Sequence, residues 1–293
     1  MGPNDLFELK TKLLEKIEEK VAASVSNYQA KMFEVLLVEY LSRFEVVDGR
    51  IVSSKRNVKL LTEIDAVFDS LVEIMYRDVL GPLAKGMIEA SELSIEYYKA
   101  LGFEASKIKE VIKGIVAVRD MIGIDAKGVA KPGGYIHRVA RTEEVRLRLQ
   151  SFVINNVTSR APFLEFQKGF KRLIKGSSRD KVPGAIERYF DQYVYDTVGA
   201  VDAAFNSQVA KELDLKYFLY AGSLIKTSRK FCRKRAGKVF STEEVEKWKD
   251  DPDLIDKKTK DSYRPLIERG RYRCRHYIKY ITEGLHKRLK EYA

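Results

Sequence analysis

Cys232, Cys274 and His276 are the residues of this chain best suited to chemistry, because thiolate and imidazole are the donor types that zinc prefers. Cys274-Arg-His276 supplies two of the three donors within one short step, but there is no C-x-x-C pair, so a fourth donor would have to be His286, a carboxylate or water. The same residues suit two other arrangements: reduced, buried cysteines with a histidine anchoring loops, or a disulfide. Spacing leaves all three open. A second chemistry is the binding of polyanions. Lys226, Arg229, Lys230, Arg233, Lys234, Arg235 and Lys238 form one basic run, and Arg264, Arg269, Arg271, Arg273 and Arg275 another, with Phe231, Tyr263, Tyr272 and Tyr277 interleaved. Such side chains neutralise phosphates and such rings stack on bases. Lys230, Arg233, Lys234, Arg235, Lys238, Arg271 and Arg273 are therefore candidate contacts to nucleic acid or to a partner protein.

Catalysis has little to build on. The three histidines are His137, His276 and His286, and no nucleophile elbow, phosphate loop, H-E-x-x-H or dinucleotide fingerprint occurs. Carboxylate pairs such as Glu18-Glu19 and Glu243-Glu244 read as solvated helix faces and caps. The expectation is a protein that binds and does not catalyse, with no catalytic residue and no required cofactor.

The net charge of +12 is uneven: residues 1 to 100 carry 13 Lys and Arg against 17 Asp and Glu, so the excess belongs to the remainder. A positive field of that kind favours nucleic acid, an acidic protein surface or an anionic membrane. Two cysteines do not make a disulfide scaffold, and the N-terminus lacks an apolar signal-peptide core, which points to the cytosol. No apolar run is long enough for a spanning helix.

The elements that must position these residues read as mainly helical. Leu6, Leu9, Leu13, Ile17, Val21, Val25, Tyr28, Met32, Leu36 and Tyr40 step by three or four along one amphipathic helix to about Phe44. Asp48-Gly49 marks a reversal into a second, antiparallel helix that Gly81-Pro82 should break or kink. A third helix reaches about Tyr98. A fourth, Ala105 to Met121, is expected to bury Ile108, Val111, Ile112, Ile115 and Val118. Thr142 caps a helix whose buried face is Val145, Leu149, Phe152 and Ile154; another follows to Ile174, and Pro183 starts a long one to Leu213. Beyond it the texture changes. Lys216 to Ala221 is extended, Gly237 to Phe240 is a turn-strand unit, and Ser241-Thr-Glu-Glu244 is a capping box. Residues 250 to 262 read as a charged loop and Ile278 to Tyr292 as a basic closing helix. The division expected is a helical region at 1–125, an irregular linker at 126–140, and a C-terminal domain at 141–293 with a small β-hairpin module at 216–282.

Within that last stretch stand Tyr220-Ala-Gly222, Thr227-Ser-Arg229-x-x-Cys232, Gly237-Lys-Val-Phe240 and Gly270-x-x-x-Cys274-Arg275-His276. Their order and character resemble the Mu F-like family of phage head morphogenesis (minor head) proteins, over about residues 185 to 282. Ile225 stands where an Asp is common in that family, and Arg271 and Tyr272 where His and Pro often precede the last cysteine. The resemblance implies a protein bound to the portal inside the capsid, made in the host cytoplasm and present in the virion. It would support head assembly, DNA packaging and DNA delivery, with portal protein, other head proteins and genomic DNA as partners. Gly222, Thr227, Arg229, Cys232, Gly237, Phe240, Cys274, Arg275 and His276 would form a small structural core. The alternatives are a cellular nucleic-acid-binding protein and a zinc-dependent enzyme.

Overall fold

The N-terminal periodicity becomes helix α1 (Pro3–Phe33), extended by a π-helical segment (Glu34–Tyr40) and a 3-10 turn (Leu41–Arg43). Its buried stripe is Leu6, Leu14, Ile17, Val21, Val25, Tyr28, Met32, Leu36 and Tyr40; Leu9 is exposed, and Leu14 takes the buried place expected of Leu13. Asp48 and Gly49 both have positive φ, 48° and 72°. That is the two-residue turn an Asp-Gly pair favours, and it joins β1 (Val46–Val47) to β2 (Arg50–Ile51). The architecture is taken from a computed structural model that describes all residues except 126–128, 130, 132, 135–137, 139–142, 178, 180, 181, 256–261, 272, 273, 292 and 293, and, inside helices, the side chains at 105, 110, 111, 114, 115, 117, 118, 121, 186, 187, 190–197 and 291.

Helix α2 (Lys55–Met75) starts at Ser54, whose hydroxyl accepts the Asn57 N–H. Of the break or kink expected at Gly81-Pro82, the break does not occur, and the irregularity takes the form of a π-helical segment. A π-helical segment (Tyr76–Leu80) leads directly into α3 (Gly81–Ala100), and Gly81 keeps helical dihedrals, φ −62° and ψ −54°. The wide turn absorbs the proline, which has no N–H to lose, and a Cβ on Gly81 would lie 2.9 Å from the Tyr76 carbonyl oxygen. Helix α4 (Ala105–Ile122) ends at Gly123 in the left-handed conformation, φ 75°. It buries Ile108 but exposes Ile112, contrary to expectation; the side chains of Val111, Ile115 and Val118 lie outside the described residues. Helix α5 (Glu143–Thr158) buries Val145, Leu149, Val153 and Val157, a strict i, i+4 row, so Ile154 faces outward and Phe152 is half-buried. Its expected cap, Thr142, is outside the described residues, as is most of the linker at 126–140. Helix α6 (Phe163–Lys175) and the short pair β3 (Gly176–Ser177) and β4 (Val182–Pro183) precede α7 (Ala185–Glu212), so Pro183 ends a strand and does not open the helix.

The C-terminal region holds β5 (Tyr217–Ala221), α8 (Lys230–Arg233), β6 (Val239–Ser241), a 3-10 helix (Glu244–Asp250), α9 (Pro265–Glu268), β7 (Tyr277–Ile281) and α10 (Glu283–Glu291). The sheet is antiparallel with β5 in the middle, pairing Phe218 with Phe240 on one side and with Tyr280 on the other. Residues 278–281 were expected to open the closing helix and instead belong to the third strand, Tyr277–Ile281. Tyr-Ile-Lys-Tyr-Ile is aromatic and β-branched, and all five residues are buried, which a one-sided helix would not achieve. The fold is mainly α with a small antiparallel sheet near the C-terminus. Among the described residues no helix is long and apolar enough to cross a membrane.

Two compact units form, and neither is continuous in sequence. One comprises Met1–Glu18, Lys85–Gly128 and Val194–Ala293; the other comprises Glu19–Ala84 and Val129–Tyr193. The second is built on the apolar stripes of α2, α5 and α6, with Phe152 stacked on Phe166 at 5.7 Å and Arg146 bridging Asp65 and Asp69. The buried Asn57 amide in this unit is saturated: Oδ1 accepts the Glu45 N–H at 2.8 Å, and Nδ2 donates to the carbonyls of Glu45 (2.9 Å) and Val52 (2.7 Å). In the first unit Lys10 and Asp202 form a buried ion pair at 3.2 Å. Asn206 donates to Asp202 at 3.0 Å and accepts from the Tyr98 hydroxyl at 3.1 Å. Lys279 lies over the Phe7 ring at 4.7 Å and donates to Asn4, and burial pushes its pKa down.

Candidate metal centre

Trp248 organises the C-terminal module. Ser241 and Glu244 form the reciprocal capping box, Ser241 N–H to Glu244 Oε2 at 2.6 Å and Glu244 N–H to Ser241 Oγ at 3.2 Å, which sets the 3-10 helix carrying Trp248. The indole meets Phe218, Tyr220, Phe231 and Phe240 edge-on at 5.2 to 6.1 Å. Sheet and α8 are thereby locked together, which fixes where Cys232 points.

Tyr220, on the buried side of the central strand, reaches Cys232 Sγ at 3.6 Å and Cys274 Sγ at 3.4 Å. The two sulfurs are free thiols 3.9 Å apart, and Cys274 Sγ lies 3.8 Å from His276 Nδ1. One ligand atom from each of Cys232, Cys274 and His276 falls within 4.8 Å of the others. Close backbone approach makes this convergence feasible. A Cβ on Gly222, whose φ is 125°, would lie 3.1 Å from the Arg275 carbonyl oxygen and 3.1 Å from His276 Cα. A Cβ on Gly270 would lie 2.7 Å from Cys232 Sγ and 3.1 Å from Cys274 Sγ. Arg229 donates to the Gly270 carbonyl at 3.0 Å, and Arg269 to the Gly199 carbonyl at 2.6 Å, so two guanidinium groups fasten the loop that carries the sulfurs.

The electrostatics split the two thiols. A hydrogen bond from Cys232 holds Cys274 well below the ordinary thiol range, aided by His276, Arg269 and Tyr220 against the cost of burial. Cys232, as the donor of that bond and buried besides, is pushed up. Tyr220 is pushed up by burial and by the neighbouring sulfurs. Outside the cluster lies a cavity of about 310 Å³ lined by Glu18, Thr227, Arg229, Cys232, Cys274 and His276, among others.

The three candidate ligands expected from the sequence do converge, but His286 is not with them. It stacks on Tyr217 at 4.0 Å on a different part of the module. Glu18, read as a solvated face, is half-buried and lines the cavity. No sequence signal marked it, because a glutamate beside the apolar stripe of α1 reads like any other charged residue at the edge of an amphipathic helix. Tyr220 and Gly270 were visible only as pieces of a motif and not as contacts to sulfur. Of the expected core, Cys232 and His276 are buried, Arg229, Phe240 and Cys274 are half-buried, and Gly222, Thr227, Gly237 and Arg275 are exposed, Thr227 and Arg275 at the cavity mouth.

Two of the candidate phosphate contacts are ruled out by burial. Arg235 packs over Phe231 (3.7 Å) and Trp248 (4.6 Å) and pairs with Asp251 at 2.6 Å; Arg271 lies over Tyr263 at 4.9 Å beside Glu268. Both serve the module's interior. Lys234 is exposed but paired with Asp253, and Arg233 spends two donors on the carbonyls of Ser228 and Lys226. Lys230 and Lys238 remain exposed, and Arg273 lies outside the described residues, as does His137. Compared with known proteins, the chain matches no family model, no curated sequence and no solved structure.

Proposed function

We propose that this chain is a minor head protein of a tailed phage, docked on the portal inside the capsid, where it supports assembly, packaging and DNA delivery by binding and not by catalysis. One observation carries the reading. The separate segments of the Mu F-like resemblance meet in a single module, with Tyr220, Cys232, Cys274 and His276 in mutual contact and Gly222 and Gly270 allowing the approach. A motif whose scattered residues make one packed unit is what a shared structural module requires. The exposed Lys226, Lys230 and Lys238 give that module basic side chains available to DNA or to an acidic portal surface.

The test is retention of the tagged chain on purified portal oligomer from the same genome. Specific, saturable retention that survives nuclease treatment is expected; no retention at physiological salt overturns the portal assignment. A cellular nucleic-acid-binding protein is the second reading, favoured by the same lysines. It requires DNA affinity without portal affinity, and an affinity that falls steeply with salt as counterions are released.

A further inference from the structure

We propose that Cys232, Cys274 and His276 hold a zinc ion whose fourth coordination position opens into the adjoining cavity, with Glu18 accepting a hydrogen bond from the water bound there. Tetrahedral zinc with Zn–S bonds of about 2.3 Å separates two sulfur ligands by about 3.8 Å, and sulfur from nitrogen by about 3.6 Å. Two of the three separations here are 3.9 Å and 3.8 Å, close to those edges, and the third, from Cys232 to His276, is within 4.8 Å. A disulfide would instead need the sulfurs to close to about 2.05 Å.

The site is built from parts that do not depend on the ion. Gly222 and Gly270 leave no room for a side chain beside His276 and the sulfurs, and Arg229 clamps the Gly270 carbonyl. The Tyr220 hydroxyl reaches both sulfurs, the role of an outer partner that orients thiolate ligands. The imidazole turns Nδ1 toward the cluster, 3.8 Å from Cys274 Sγ, so that nitrogen is the one placed to ligate. On the open side the cavity, about 310 Å³, has room for a bound water, and Glu18 is the acidic side chain in its lining. Two soft sulfurs and an imidazole select zinc over magnesium or calcium, which take oxygen ligands.

The experiment uses the full chain, purified after expression in zinc-supplemented medium, with metal measured by inductively coupled plasma mass spectrometry. One zinc per chain is expected, and cobalt exchanged into the site should give a thiolate-to-metal charge-transfer band. Cys232→Ser and Cys274→Ser should each lose the bound zinc. Should these variants fail to fold, the cobalt band of the unsubstituted chain decides alone. Glu18→Gln should keep full stoichiometry but bind zinc about tenfold more weakly in competition with a chelator. Unsubstituted protein without stoichiometric zinc and without the cobalt band, its thiols freely alkylated or joined to each other, overturns the site; unchanged affinity in Glu18→Gln removes Glu18 from it. The inference stands apart from the phage-head reading. A zinc-loaded chain that ignores the portal would keep the site and end that reading, while a metal-free chain bound to portal would do the reverse.

Discussion

Gly222 and Gly237 both have positive φ, 125° and 76°, yet they carry different burdens. A methyl at Gly237 meets nothing within 4 Å, whereas one at Gly222 comes tightly, at 3.1 Å, against the backbone of Arg275 and His276. Gly237→Ala should therefore cost about 1 kcal/mol of unfolding free energy, the backbone term alone. Gly222→Ala should cost about 2–4 kcal/mol, because His276 must also move. Urea unfolding of the two variants compares them directly, and equal losses would contradict the crowding argument. His286 supplies a pH prediction. Burial holds its pKa below the usual 6.5, its largest cause, with Lys290 adding to it, and Nδ1 has no hydrogen-bond partner among the described residues. Between the folded value and 6.5 the unfolded chain binds more protons, so stability should fall as pH drops through that window. His286→Phe keeps the stack on Tyr217 and should flatten the slope of urea-unfolding free energy against pH; an unchanged slope would show that other groups set it. At this scale the sequence revealed donor types well and environments poorly. Cysteine and histidine announce themselves by chemistry, but nothing in Glu18 or Arg235 distinguishes a cavity wall or a core cation from a surface charge.

Elements were readable where periodicity was long. The stripe of α1 and the capping box at Ser241 follow from local rules that the fold obeys. The failures came where tertiary packing outweighed a local signal. Gly81-Pro82 reads as a break, yet a π-helical segment carries the helix past it; Lys279 and the basic residues after it suggested a helix, yet residues 277–281 complete the sheet by pairing with β5. Buried polar groups hold the elements in register. Asn57→Ala leaves the N–H of Glu45 and two carbonyls without their partner and should cost about 2–3 kcal/mol. Asp202→Ala strands Lys10 in the interior and should cost about 3–5 kcal/mol. Chemical denaturation monitored by circular dichroism checks both; a loss below 1 kcal/mol in Asp202→Ala would mean that the Lys10 ammonium escapes to water.

Over the whole molecule, the formal charge of +12 overstates what is available to a partner. Arg235, Arg269 and Arg271 are interior residues, and several other cations are paired on the surface. The division at 126–140 expected from glycine and proline content is sequential, while the compact units interleave, because α1, α3 and α7 each contribute residues to both. Local composition does not encode that interleaving, since it depends on which distant stripes pair. The most direct test of the functional account is quantitative mass spectrometry of gradient-purified heads assembled with and without portal protein. The account predicts the chain in portal-bearing heads, at low copy relative to the main capsid protein, and its loss from heads that lack the portal. Equal amounts in both kinds of particle, or absence from both, would contradict it.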